Sequence, residues 1–143
     1  MYVGDLAQVT AAGLERGNVM NRVNADEETL SVVIGTYNRI DQLQVCIRSI
    51  FEQTKTRVRV YVTDAGSTDG TVEYLQSIAS DALVPIFAGK RIGQAAAYNE
   101  IFQAVTTPYV CWLSDDHEVT ENGLDVAVGI LEVELGVAAA VVA

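Results

Sequence analysis

Residues 108–117 read Pro-Tyr-Val-Cys-Trp-Leu-Ser-Asp-Asp-His. Tyr109 to Leu113 is a short apolar run, rich in aromatic and β-branched side chains, and it reads as a buried strand. It stops at Ser114 and is followed at once by Asp115, Asp116 and His117. In open α/β sheets, ligands bind outside the carboxyl ends of the strands. Two adjacent carboxylates at such an end therefore mark the edge on which a site is expected.

The chain upstream repeats the same unit. Leu30-Ser31-Val32-Val33-Ile34 is too apolar for an exposed strand and predicts a central one, covered on both faces. It ends in Gly35-Thr36-Tyr37-Asn38-Arg39. Ile40, Leu43, Ile47 and Ile50 then follow at the spacing of one buried helical stripe, with Asn38 or Asp41 as candidate caps. Arg57 to Thr63 predicts a second strand, ending at Asp64 and followed by the turn residues Ala65 to Gly70. The next helix starts at Thr71, with Asp69 as its cap. Leu83 to Ala88 gives a third strand. Gly89-Lys90-Arg91-Ile92-Gly93 is a basic loop flanked by glycines, and it leads into an alanine-rich helix that runs to Val105. Pro108 breaks that helix and opens the fourth strand.

Beyond the acidic turn, Leu124, Val128, Leu131 and Leu135 form another stripe, which Gly136 stops. Val137 to Ala143 reads as a fifth strand with an exposed apolar edge, and this points to self-association of the chain through it. Residues 1–28 carry no such periodicity and read as an N-terminal extension, a frayed helix or arm without assigned chemistry; residues 29–143 are the domain. Alternation of strands with helices defines an α/β protein, with a mainly parallel sheet of about five strands and helices on both faces. Right-handed crossovers bring the ends of the first, second and fourth strands to one edge. Tyr37, Asp64 and the Asp115–Asp116 pair then face one crevice.

Charge narrows the function. Among 143 residues there are 19 acids against 9 bases, a net charge of −10. Nucleic-acid binding and docking on anionic lipid both need a basic face, so neither is expected. Cys46 and Cys111 fall at apolar positions and read as buried thiols. The N-terminus lacks a signal-peptide pattern, and no run approaches the roughly 18 apolar residues of a membrane span. A cytoplasmic protein without a membrane span is the expectation.

Two neighbouring carboxylates repel by roughly a few kcal/mol at an intermediate dielectric. A divalent cation relieves that repulsion, and hard oxygen donors suit Mn²⁺ or Mg²⁺. Capping of the following turn explains the pair equally well at this point, and His117 reads as a surface-loop histidine. Asp64 could accept the ring N–H of a base or the hydroxyls of a ribose, or simply form its turn. Lys90 and Arg91 suit a diphosphate, or solvent. The glycine-rich dinucleotide and P-loop signatures are absent, and a single histidine leaves no serine- or cysteine-based triad.

The ordered set LSVVIGTYNR, VYVTDAGSTDGT, GQAAAYN and YVCWLSDD, from Leu30 to the end of the chain, resembles the nucleotide-sugar-binding half of a family 2 glycosyltransferase. The resemblance implies a Rossmann-like GT-A sheet. It also implies inverting transfer of a sugar from a UDP- or GDP-linked donor to an acceptor hydroxyl, assisted by Mn²⁺ or Mg²⁺. Carried over by position, Thr36 and Tyr37 line the nucleoside, Arg39 borders them, and Asp64 meets the base. Lys90, Arg91 and Gly93 lie in the loop that approaches the nucleotide. Asp116 is the implied metal ligand, with Asp115 beside it toward the ribose or sugar.

Three positions depart from the family pattern. Ala65 stands where a second carboxylate is common, Gly35 where proline is common, and Ser114 at the first acidic position of the D-x-D motif. The catalytic base and acceptor site are implied to lie beyond this chain. The alternative is a nucleotide-binding or assembly module that keeps the fold without turnover. A nucleotidyltransferase is disfavoured, because GTYNR is a poor substitute for a basic, glycine-rich activating loop.

Overall fold

A computed structural model of the chain describes residues 7–11, 28–133 and 139–142. Ten elements follow in order. They are β1 (Ala7–Ala11), β2 (Leu30–Thr36), α1 (Ile40–Gln53), β3 (Val58–Asp64), α2 (Thr71–Ile78) and β4 (Leu83–Phe87), then α3 (Gln94–Ala104), β5 (Tyr109–Ser114), α4 (Gly123–Val133) and β6 (Ala139–Val142). The six strands form one sheet in the order β4-β3-β2-β5-β1-β6. The four strands β4, β3, β2 and β5 are parallel.

Central strands of a parallel sheet are covered on both faces, and β2 shows it: Val32 and Val33 point to opposite sides and both are fully buried. Val32, with Leu30 and Ile34, packs into a large cluster with Leu43, Ile47 and Ile50 of α1, Leu75 of α2, and Leu124, Val128 and Leu131 of α4. Val33 joins Tyr61 and Val110 beneath Tyr98 and Ile101 of α3. Three helices therefore cover one face and one covers the other, an α/β/α arrangement. The expected stripe of α1 holds, with Ile40 at its half-buried end.

The sheet has one more strand than expected. Ala7–Ala11, inside the segment read as an N-terminal extension, a frayed helix or arm, forms β1 between β5 and β6 and runs antiparallel to both. Its five residues are too few to show a periodicity among the glycines around them. The expected fifth strand is β6, Ala139–Val142, and it is one of the two edge strands of the sheet among the described residues, with β4 at the other edge. The expected helix stop at Gly136 and stripe position Leu135 lie outside the described residues.

Parallel pairing fixes which strand ends meet. Thr36 is level with Asp64, and Gly35 is level with both Thr63 and Ser114. The carboxyl ends of β2, β3 and β5 therefore share one edge, as the crossover argument requires.

Candidate functional site

The turn after β2 is held by its neighbour, not by its own helix. Asn38 sits at φ 51° in the left-handed region, which asparagine tolerates. Its backbone N–H donates to Ser67 Oγ at 2.9 Å, and its Oδ1 accepts from Thr68 N–H at 2.7 Å. Neither Asn38 nor Asp41 caps α1. Asp69 does so from the next loop: Oδ2 accepts from Ile40 N–H at 3.0 Å, while Oδ1 accepts from the Thr71 N–H and hydroxyl at the start of α2. One carboxylate thus serves two helix starts. The Thr71 hydroxyl and these amides hold its pKa below the ordinary carboxylate range.

This arrangement opens a cleft of about 380 Å³ over the sheet edge. Thr36, Tyr37, Arg39, Arg91, Gly93 and Asp115, all expected site residues, line it. The Arg91 guanidinium lies 4.7 Å from the centre of the Tyr37 ring, a cation–π contact across the mouth. Gly93 adopts φ 78°, ψ 151° at the start of α3, a region essentially restricted to glycine. A Cβ there would meet nothing within 4 Å, so the backbone itself lies bare to the cleft.

Asp115 and Asp116 share a site but differ in environment. Asp115 is 5% exposed and its Oδ2 accepts from the Thr36 hydroxyl at 2.9 Å. Burial raises its pKa against the opposing pull of Thr36 and Arg39. Asp116 is exposed, and its pKa is lowered, chiefly by the Ser114 hydroxyl. Arg39 Nη1 lies 3.3 Å from Asp115 Oδ1 and 3.3 Å from Asp116 Oδ2, bridging the two carboxylates. His117 Nδ1 accepts from Ser114 N–H at 3.2 Å. The same nitrogen lies 3.7 Å from Asp116 Oδ1.

Behind the pair, the Cys46 thiol contacts the Ser114 carbonyl at 3.6 Å. Desolvation, then the two carboxylates, push its pKa up to about 12. Cys111 is raised to about 12 by burial as well. Both are free, inert thiols, as the sequence suggested.

Two expected residues are placed differently. Asp64 is 1% exposed, and its Oδ2 accepts from Gly66 N–H at 2.9 Å and Ser67 N–H at 3.0 Å. It shapes the turn and is not on the cleft wall. Lys90 is exposed and off the wall too. Beside them Gly66, at φ +85°, lets two loops touch: a Cβ would come within 3.1 Å of the Gly89 backbone.

Sequence reasoning missed Thr63. It lines the cleft, is 2% exposed, and its hydroxyl has no hydrogen-bond partner among the described residues. Inside VYVT it carries no signal that separates it from an ordinary strand residue.

No cluster of three or more His, Cys, Asp or Glu suited to a metal occurs among the described residues. The donors present still fit Mg²⁺ or Mn²⁺. Such ions are held by one or two carboxylates, with substrate phosphates and water completing the shell. Asp115 and Asp116 already share one cationic partner.

A mainly parallel sheet with helices on both faces and a cleft over its carboxyl edge is an α/β fold of the Rossmann-like, GT-A kind. The chain belongs to glycosyl transferase family 2, whose model matches residues 31–142. It is 36% identical over 90 residues to an uncharacterized glycosyltransferase, alr2836, of Nostoc sp. (61% of this chain, 28% of that protein). It is 29% identical over 94 residues to the Escherichia coli UDP-Glc:alpha-D-GlcNAc-diphosphoundecaprenol beta-1,3-glucosyltransferase WfaP (65% of this chain, 38% of that protein). Among solved structures it resembles the mannosyltransferase PcManGT of Pyrobaculum calidifontis, in complex with GDP-Man and Mn²⁺. The TM-score is 0.64 at 26% identity, over 76% of this chain and 33% of that one. The chain thus spans about a third or less of the length of these relatives at Nostoc and Pyrobaculum, 28% and 33%. No helix among the described residues is long and apolar enough to cross a membrane.

Proposed function

We propose that this chain is the donor-binding part of an inverting glycosyltransferase and takes a UDP- or GDP-linked sugar with a divalent cation. One observation carries the reading: the ends of β2 and β5 and the basic loop before α3 converge on one cleft bearing Tyr37, Arg91 and Asp115. Each group has a task suited to its chemistry. Tyr37 and Arg91 offer flat faces on which a base can stack. The bare backbone at Gly93 lets a phosphate or ribose approach closely. Asp116, exposed and ionised, is the residue we assign as principal metal ligand, with Asp115 beside it. A bound Mn²⁺ or Mg²⁺ would stabilise the charge on the departing diphosphate.

Inverting transfer also needs a base to deprotonate the acceptor hydroxyl. Asp115 is the sole carboxylate among the described cleft-lining residues, and it is engaged with Thr36 and Arg39. The base therefore belongs to a part of the enzyme outside this cleft. That observation keeps a second reading in play, a nucleotide-binding module without turnover.

Calorimetry with UDP and GDP, with and without Mn²⁺, tests the donor site. We expect binding that depends on the metal and weakens about tenfold or more in Asp116→Asn. Equal binding by that variant, with or without metal, would sink the metal-assisted reading. Transfer or slow hydrolysis of a UDP- or GDP-sugar by the chain would exclude the second one.

A further inference from the structure

Arg39 stands in an unusual place. It occupies the N-cap position of α1 and makes no side-chain cap bond, so its positive charge lies at the end of the helix dipole that repels it. Asp69 caps the helix instead. What holds the guanidinium there is the carboxylate pair, and it is held loosely. A single nitrogen, Nη1, serves both carboxylates at 3.3 Å, longer than the 2.7–2.9 Å of strong charge-assisted bonds and without the two-pronged fork. Its side chain is half exposed, as is that of Asp116. One cationic atom lies 3.3 Å from Asp115 Oδ1 and 3.3 Å from Asp116 Oδ2, so a divalent ion held by these carboxylates would compete with it.

We propose that Arg39 is a resident counter-ion. It holds the place between Asp115 and Asp116 until a divalent cation takes it, and the freed guanidinium then binds the donor's diphosphate oxygens. The inference rests on the donor-site reading above and adds a role for a residue toward the metal.

Charge arithmetic supports the exchange. Two carboxylates carry −2, and Arg39 leaves −1. A divalent ion neutralises the pair by itself, so Arg39 gains nothing by staying. A diphosphate arriving at the same cleft brings negative charge, and its oxygens match the planar fork of a guanidinium better than two divergent carboxylates do. Metal and nucleotide binding become coupled through Arg39, since each favours the swung-out position. Without the exchange, the ion and the guanidinium would repel each other within one small site.

The test titrates the chain with MnCl₂, following loss of the free-ion EPR signal, with and without UDP or GDP. Wild type is compared with Arg39→Ala, Arg39→Lys and Asp116→Asn. Arg39→Ala should bind Mn²⁺ alone about three- to tenfold more tightly than wild type, the range set by one half-exposed and one part-buried ion pair. The tightening of Mn²⁺ by nucleotide should shrink in the same variant. Arg39→Lys, which keeps the charge and loses the fork, should keep the weak metal affinity and lose part of the nucleotide effect. In addition, the Arg39 Nε–H NMR resonance should move when the wild-type chain is saturated with Mg²⁺. Mn²⁺ affinity that is equal or weaker in Arg39→Ala, or an Arg39 resonance that ignores Mg²⁺, overturns the proposal. Loss of Mn²⁺ binding in Asp116→Asn alongside either result would leave the donor site standing and remove only the role of Arg39. Unchanged Mn²⁺ binding in Asp116→Asn would remove both.

Discussion

Thr63 shows what a site does to a residue. A buried hydroxyl without a partner costs about 1–3 kcal/mol of desolvation, and β3 could hold valine there in the same volume. No group among the described residues uses the hydroxyl, yet it sits on the cleft wall. Folded chains keep such liabilities at sites of function. Thr63→Val is therefore expected to stabilise the ligand-free chain by roughly 1 kcal/mol, read as a higher urea midpoint with unchanged slope. A lower midpoint would mean that the hydroxyl is satisfied in solution. Asp64, its neighbour, teaches the opposite lesson. In sequence it reads as an acceptor for a base or ribose, with a plain turn as the alternative, and in the fold its Oδ2 accepts from the amides of Gly66 and Ser67, with Oδ1 at 3.3 Å from the Ser67 N–H. Identity and position along the chain were legible. Which way a carboxylate turns depends on backbone amides two and three residues on, and no pattern of side chains records them.

At the scale of elements, the parallel strands and helices were readable because each repeats a period: apolar runs in β2 and β5, a 3-4-3 stripe in α1. The capping of α1 was not readable. The acceptor comes from Asp69, 29 residues beyond Ile40, and only tertiary contact between two loops brings it there. Because Asp69 also binds Thr71, its loss uncaps two helices at once. Asp69→Ala should cost about 1–2 kcal/mol, in the upper range for a cap, measured by urea denaturation. Asp69→Asn, which keeps an acceptor, should cost less. The depressed pKa of Asp69 gives this a pH signature. A carboxylate whose folded pKa lies below its unfolded one, about 4, contributes stability that is full above about pH 5. That contribution is lost as pH falls through the folded value. Asp125 behaves alike: burial raises its pKa, and the bonds from Thr56 and Lys55 outweigh that and leave it lowered. Between pH 5 and about pH 3 the wild-type denaturation midpoint should fall more steeply than that of Asp69→Asn or Asp125→Asn. Parallel slopes would refute the assignment.

For the whole molecule, the least periodic part of the sequence has the largest topological effect. β1 lies between β5 and β6, with four register pairs on each side. The site-bearing strands β2 and β3 lie across β5 from β1, which pairs with β5 alone among the three, and β1 contributes no side chain to the cleft. A chain beginning at Glu28 should therefore keep the cleft residues in place while losing the strand that joins β6 to the sheet. Removing two short ladders should cost several kcal/mol, at about 1 kcal/mol net for each backbone bond. It also leaves the far edge of β5 unpaired, and an unpaired apolar edge invites association between chains. The expected outcome is a lower denaturation midpoint and concentration-dependent light scattering, with nucleotide affinity changed much less than stability. A truncated chain as stable and monomeric as the parent would show that β1 is dispensable to the sheet. Loss of nucleotide binding in a truncated chain that remains folded would show that β1 supports the cleft through β5, and that the donor site depends on the whole sheet.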